Sequence, residues 1–531
     1  MRTFLIGLDG ATFSVLDSFM DKGIMPNLRE LMRQGCRGEL LSTALHLTPP
    51  AWTSLITGRT PGAHGIFDFF RPIRNGAGIY IRPVTSRDIR TETIWSYVSR
   101  LGRRVISLNF PVMFPPPAVS GYLISGLISS RHLRRAVYPS TLMDRLTALP
   151  DFDAKALGWD MDEEEKCIRD LPQDEYEAWI RFHIRRERQW FAIFVDLLRT
   201  EPADLCAVLF DGVDKLQHLC WHLIDPALAS SVNTVWERGI HELCLDYFRQ
   251  LDGFIGDIVS LAGRDATLVV VSDHGFGPTE MLFHVNVWLQ QHGYLEWAVA
   301  SSDDAAAQAL SRRDVRLFDW SRTRAYAVTA SSNGIHIAIS DDPEEGGVAP
   351  AEYESFRSTL IKELLDAKDP ETGQLLIRRV MTREEAFPGP HCAEAPDLTL
   401  VLQDYGFVSV ANGPSSVTRR PAPKGMHRPE GIMAAVGPSI VQGAEINQLS
   451  IVDICPALLY SMDLPVPRDL EGRFPTEIFE PAVLRDRPPR YGEPTIPPGE
   501  MQDRNSEPCV SPDENAAIIA GLGALGYADG G

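Results

Sequence analysis

Residues 266–277 read ATLVVVSDHGFG. The apolar run Leu268–Val271 is continuous rather than alternating, the pattern of a strand buried on both faces. Asp273 and His274 follow it directly, before Gly275. Three further runs have the same character: Phe4–Leu8, Val105–Leu108 and Leu205–Phe210. Stretches with helical spacing separate them, among them Asn27–Gln34 and His241–Ala262. Such alternation predicts an α/β fold with a central, mostly parallel sheet flanked by helices. Three of the four strands end in carboxylates: Asp9, then Asp211 and Asp214, then Asp273. Ligands of open parallel sheets bind beyond the carboxyl ends of the strands. Aspartates on three separate strands therefore predict one shared site.

Charge narrows what that site accepts. The chain has 531 residues, with 51 Lys and Arg against 71 Asp and Glu, a formal charge of −20. A surface of that sign repels nucleic-acid backbones, which argues against a nucleic-acid polymer as partner. A small anionic substrate then needs local reversal of the field, as metal ions provide. No apolar run approaches the ~20 residues of a membrane-spanning helix. The N-terminal apolar stretch meets Asp9 too early for a signal-peptide core. Eight cysteines include no C-x-x-C pair, which argues against a disulfide scaffold or a thiolate zinc site. Reduced, buried thiols in a cytoplasmic protein are the expectation.

Two stretches fit the sheet poorly. Residues 126–200 carry Arg, Glu, Trp and Leu at helical spacing and read as a helical insertion; the acidic run at 160–165 within it reads as solvated surface. Residues 291–394 mix helix and strand signals and read as a mixed α/β cap insertion. The catalytic core is then discontinuous, over 1–125, 201–290 and 395–480. Residues 481–531 read as a Pro-rich linker followed by a short C-terminal helix that opens on Ser511-Pro512-Asp513-Glu514.

Four segments carry chemistry. In LTPPAWTSLITG, Thr48 can cap a helix that begins with Pro49 and Pro50 and ends near Gly58. A hydroxyl there lies in the positive field of the helix start, beside free N–H groups suited to an oxyanion, although a structural cap alone has the same pattern. In DKLQH, Asp214 and His218 stand at i and i+4, on one helix face and close enough to share a metal ion. Asp273-His274 offers two more ligands at a strand end, and His427 lies between Gly425 and Gly431. Each segment alone is as compatible with packing as with chemistry. Together, Asp9, Asp214, His218, Asp273, His274 and His427 supply three carboxylates and three imidazoles, enough for two metal ions with three protein ligands each. Paired divalent ions can clamp the attacking and leaving oxygens of an in-line phosphoryl displacement.

In order and spacing, these segments resemble the alkaline phosphatase superfamily, and most closely its type I phosphodiesterase/nucleotide pyrophosphatase branch. The resemblance rests on LIGLDGAT, LTPPAWTSLITGRTPGAHGIFDF, DGVDKLQH, VVSDHGFG and GMHRPEG, with DICPALLYSMDLPVPRDLEGR as a closing region. It implies that Thr48 is the nucleophile of a covalent phospho-enzyme intermediate. It implies one metal on Asp214, His218 and His427, and a second on Asp9, Asp273 and His274 with the Thr48 oxygen as a further ligand. The family's usual metal is zinc; the related mutases use manganese. The expected activity is hydrolysis of a small-molecule phosphodiester or pyrophosphate. The alternatives are a phosphomonoesterase, or a phosphoryl transferase or mutase of the same superfamily, and then a metal-binding regulatory protein with a degenerate site. The chain departs from the branch in one place: His64-Gly65-Ile66 is followed by Phe67-Asp68-Phe69, without the branch's phosphate-binding Asn. Asn109 is the candidate substitute for substrate binding. A sulfatase is disfavoured, because Thr48 and Trp52 stand where its Cys-x-Pro-x-Arg type of motif needs Cys or Ser and Arg.

Overall fold

The structure is a computed structural model that describes residues 2–75, 78–158, 171–298, 318–342 and 345–497. The acidic run at 160–165 and the C-terminal helix expected after Ser511 lie outside these residues.

All four strands read from the sequence form, as Thr3–Leu8, Val105–Phe110, Leu205–Phe210 and Thr267–Val271, each buried along its length. They sit side by side in a nine-stranded sheet. From one edge its order is Ala444–Ser450, Cys36–Leu41, Glu430–Val436, Thr267–Val271, Thr3–Leu8, Leu205–Phe210, Val105–Phe110, Gly121–Ser125 and Val137–Tyr138. Thr3–Leu8 pairs in parallel with both Leu205–Phe210 and Thr267–Val271. Glu430–Val436 runs antiparallel to both of its neighbours. Side chains alternate through the sheet, so Phe4, Ile6 and Leu8 enter one core and Leu5 the other. Truncating a fully buried residue such as Phe4 to Ala costs about 3–5 kcal/mol.

The region 126–200, read as an insertion, is woven into this core. Val137–Tyr138 is one of the sheet's two edge strands. The helix Tyr176–Thr200 places Trp179, Ile180, Trp190 and Phe194 in the same apolar cluster as Phe4. Its apolar stripe recurs at helical spacing and needs a face to cover, and the sheet supplies one.

Residues 318–402 contribute an antiparallel sheet of four strands, Ala325–Tyr326, Gly334–Ile337, Leu398–Leu402 and Ile377–Thr382, with its own apolar cluster. A third sheet joins the two bodies. Gly275–His284 leaves the main sheet directly after His274 and pairs antiparallel with Val417–Arg428. No helix among the described residues is long and apolar enough to cross a membrane.

Candidate metal centre

The central strands deliver their carboxylates to one edge. Asp9 follows Thr3–Leu8, Asp273 and His274 follow Thr267–Val271, and Leu205–Phe210 leads through Asp211 into the helix Gly212–Ile224. That helix presents Asp214 and His218 one turn apart. His427 arrives from far along the chain, because the register pairs it with Phe276, two residues beyond His274. The six side chains, scattered over more than 400 positions, meet in two groups. Within each of the trios Asp214/His218/His427 and Asp9/Asp273/His274, one ligand atom per residue lies within 4.8 Å of the others. His274 Nε2 and Asp214 Oδ1, 4.0 Å apart, join the trios.

Hydrogen bonds orient every imidazole. His218 Nδ1 faces the Gly425 carbonyl at 3.0 Å, His427 Nδ1 the His46 carbonyl at 2.9 Å, and His274 Nδ1 the Gly275 carbonyl at 3.1 Å. A carbonyl only accepts, so each Nδ1 carries the hydrogen. In the neutral ring the Nε2 lone pair then points inward. His218 Nε2 and His427 Nε2 face each other at 3.1 Å, and His427 Nε2 lies 3.1 Å from Asp214 Oδ1. Lone pairs crowded on a carboxylate repel one another unless a cation sits among them. Ring N–H groups anchored to carbonyls are how proteins hold metal-ligating histidines.

The carboxylates carry the same signature. Asp9 Oδ1 and Asp273 Oδ2 are buried without hydrogen-bond partners. Trp52 Nε1–H donates to Asp9 Oδ2 at 3.1 Å, and the Gly10 N–H to Asp273 Oδ1 at 3.2 Å, so each carboxylate has one oxygen fixed and one open. Burial, with the charges of Asp273 and Asp214, pushes Asp9 well above the usual carboxylate range. Burial, with the charge of Asp214, does the same to Asp273. Burial alone would raise Asp214 too, but His218 and Lys215 hold it well below; Lys215 Nζ is 3.4 Å from its Oδ2. Burial lowers His274 and His427 from the usual histidine range, the former well below it. Open carboxylate oxygens and inward-facing imidazole nitrogens in all-N/O sets suit divalent cations.

Thr48 stands beside the second trio, its Oγ1 3.5 Å from His274 Nε2. The expectation that it caps its helix needs correction. The helix is Thr48–Thr57, Leu47 holds the cap position, and no side chain caps it. Were Thr48 the cap, Pro50 would occupy a position whose N–H the cap binds, and proline has none. Ala51 N–H already bonds to the Leu47 carbonyl at 3.0 Å. The hydroxyl is left to face the cluster. Gly58, at φ +64°, ends the helix in the left-handed conformation where the sequence places its end.

Asn109, the expected substrate contact, makes a different bond. Its amide donates to the Leu209 carbonyl at 2.9 Å, and among the described residues its side chain hydrogen-bonds nothing else. Among the described residues, no hydrogen bond joins it to the trios. Asp68, where the branch's Asn region falls, accepts hydrogen bonds from Thr329 and Ser331 of the four-stranded-sheet region, the latter at 2.6 Å. Two residues of the centre are not singled out by the sequence motifs. Trp52 orients Asp9, and its signal is the i+4 spacing from Thr48. Gln217 ties the ligand helix to the Gly10 carbonyl at 2.7 Å.

A mostly parallel sheet with two carboxylate–imidazole trios at its carboxyl edge, beside a helix-start threonine, defines an alkaline phosphatase-like protein. Within that class the chain belongs to the type I phosphodiesterase / nucleotide pyrophosphatase family, whose pattern matches residues 3–429. It is a hydrolase of phosphoric ester bonds, in a family of metal-dependent enzymes. Solved structures share the fold. Phosphonoacetate hydrolase from Sinorhizobium meliloti 1021, in complex with phosphonoformate, is 17% identical with a TM-score of 0.51, over 87% of this chain and 95% of that one. Murine ectonucleotide pyrophosphatase/phosphodiesterase 5, an inactive threonine-to-alanine variant in complex with AMP, is 12% identical with a TM-score of 0.50, over 90% of this chain and 100% of that one. No curated protein sequence matches the chain.

Proposed function

We propose that the chain cleaves a small-molecule phosphodiester or pyrophosphate with Thr48 as nucleophile and two divalent cations, zinc foremost, as cofactors. Asp214, His218 and His427 would hold one cation; Asp9, Asp273 and His274 would hold the other, with the Thr48 oxygen beside it. The observation that carries this reading is the inward crowding of Nε2 lone pairs and open carboxylate oxygens, at separations near 3 Å, with every Nδ1–H turned away onto a carbonyl. Such cations supply charge that favours the threonine alkoxide and neutralises phosphoryl oxygens.

The chain's own residues do the rest. Thr48 Oγ attacks phosphorus; the bond from phosphorus to the leaving oxygen breaks, and the leaving alcohol or phosphate takes up a proton. Water then attacks the phosphothreonine, restores the hydroxyl and releases a phosphomonoester or phosphate. Thr48 lies in the first turn of its helix, so its field favours the negative charge that develops there. Trp52 and Gly10 hold the Asp9 and Asp273 carboxylates in place through both steps.

A second reading, a phosphomonoesterase or a phosphoryl transferase, gains support from one observation. Asp68 can only accept when ionised and is engaged with Thr329 and Ser331, so the family's amide contact to a nucleotide phosphate has no counterpart there. The two readings separate on metal-free protein given Zn²⁺ or Mn²⁺, comparing kcat/KM for bis-p-nitrophenyl phosphate and p-nitrophenyl phosphate in ¹⁸O-labelled water. Preference for the diester, with label in the released monoester, supports the first reading. Preference for the monoester supports the second. Phosphoryl transfer without label in the product contradicts hydrolysis.

A further inference from the structure

Behind the centre lies a cluster of buried ionisable groups that no step above uses. The helix Tyr176–Thr200 turns Arg186 and Glu187 inward, both about 1% exposed. Arg186 forms a buried ion pair with Asp211, the residue that joins the strand Leu205–Phe210 to the helix of Asp214 and His218. Glu187 Oε1 accepts the N–H of Gly212, the first residue of that helix, at 2.6 Å, and the Tyr247 hydroxyl at 3.4 Å. The helix has no side-chain cap of its own. A carboxyl oxygen from another element therefore does what a cap residue does, accepting from a free N–H in the first turn of the helix. The fit leaves no slack: a Cβ at Gly212 would lie 2.6 Å from Tyr247 Oη and 2.7 Å from Glu187 Oε1.

Arginine and glutamate are costly to bury, and wholly buried His183 on the same helix lies beside Arg186. What they grip is the first turn of the element that carries two of three ligands of one trio. Asp211, Asp214 and His218 stand at i, i+3 and i+7, along one helix face. The other trio is anchored differently, with Asp9 and Asp273 at the ends of adjacent strands and bonded to Trp52 and Gly10.

We infer that Arg186 and Glu187 are positioning residues that set the cation affinity of the Asp214/His218/His427 site selectively. The inference rests on the two-cation reading above. Burial and the Asp211 charge push the Glu187 carboxyl up to about 8, so Gln, which keeps an acceptor oxygen, is the conservative replacement.

The test titrates metal-free protein with Co²⁺, reading visible absorption and calorimetry. The binding phase lost in His427→Ala identifies the site. Glu187→Ala should weaken that phase 10- to 100-fold, the usual effect of losing a group that orients a ligand, and leave the other within about 3-fold. Glu187→Gln should restore it, and Arg181→Ala, on the outward face of the same helix, should change neither phase. Arg186→Lys keeps the charge but loses the fork, and should weaken the same phase about tenfold; it decides the matter if Glu187→Ala does not fold. Equal weakening of both phases, or no change in folded variants, overturns the inference. Absence of any Co²⁺ binding by the parent protein would instead overturn the two-cation reading.

Discussion

Asp9, Asp273 and His274 leave the carboxyl ends of two neighbouring parallel strands, whereas Asp214, His218 and His427 come from a helix and from a strand of a separate sheet. In the first trio, ladder hydrogen bonds between Thr3–Leu8 and Thr267–Val271 fix the backbone spacing before any side chain is placed. In the second, the spacing depends on a helix start held by Glu187 and on a long-range register that opposes His427 to Phe276. Thr48 sits beside the strand-built trio. The hydroxyl proposed to react thus lies against the strand-built half, and the half assembled from distant elements is the one that Glu187 touches.

Four substitutions sharpen or break that contrast. The largest effect is expected from Thr48→Ala, which should lower kcat by at least about 10³-fold while two cations still bind, measured by diester turnover and metal content. Retained activity would remove the nucleophile and leave the trios without a reaction. His427→Ala should come next. It should reduce bound metal from two ions to one and lower kcat/KM by roughly 100-fold or more, leaving the Asp9 site filled. Loss of both ions would show that the trios are not independent.

Trp52→Phe removes the indole N–H from Asp9 Oδ2 and keeps the aromatic bulk. It should weaken the strand-built site about 10-fold, and the helix-built site much less, in a metal titration. The smallest effect belongs to the seam between the core and the four-stranded-sheet region. Burial pushes the Asp68 carboxyl up to about 6, against hydrogen bonds from Ser331 and Thr329. A raised carboxyl favours the folded state below the ordinary aspartate range, and that advantage is lost as pH rises through about 6. Asp68→Asn should therefore flatten the fall in stability between about pH 4 and pH 6, by at most about 3 kcal/mol, in thermal or urea melts at several pH values. An unchanged slope would mean that Asp68 does not titrate there.

The strand-built half was the more legible in the sequence. Continuous apolar runs that stop at Asp9 and at Asp273-His274 state both the sheet and its carboxyl edge, because a doubly buried strand has no polar alternation to confuse it. Asp214 and His218 were legible as a pair from their i, i+4 spacing. His427 is visible only through motif order, since no local pattern states that its strand will pair with Gly275–His284. Arg186 and Glu187 sit among Arg185 and Arg188 in a stretch where only the tertiary fold decides which charges turn inward. In 126–200 periodicity registers the helix Tyr176–Thr200 but not the sheet face it packs on. The Thr48 position failed by one residue, since two prolines can start a helix at either place while only one leaves the hydroxyl free.

The central claim is that two cations sit in these two trios. X-ray anomalous scattering at the zinc edge, from crystals of zinc-loaded protein, tests it most directly. Two peaks are predicted, one enclosed by Asp214, His218 and His427 and the other by Asp9, Asp273 and His274, beside the Thr48 oxygen. No peak among these side chains, with zinc bound elsewhere or not at all, would contradict the account.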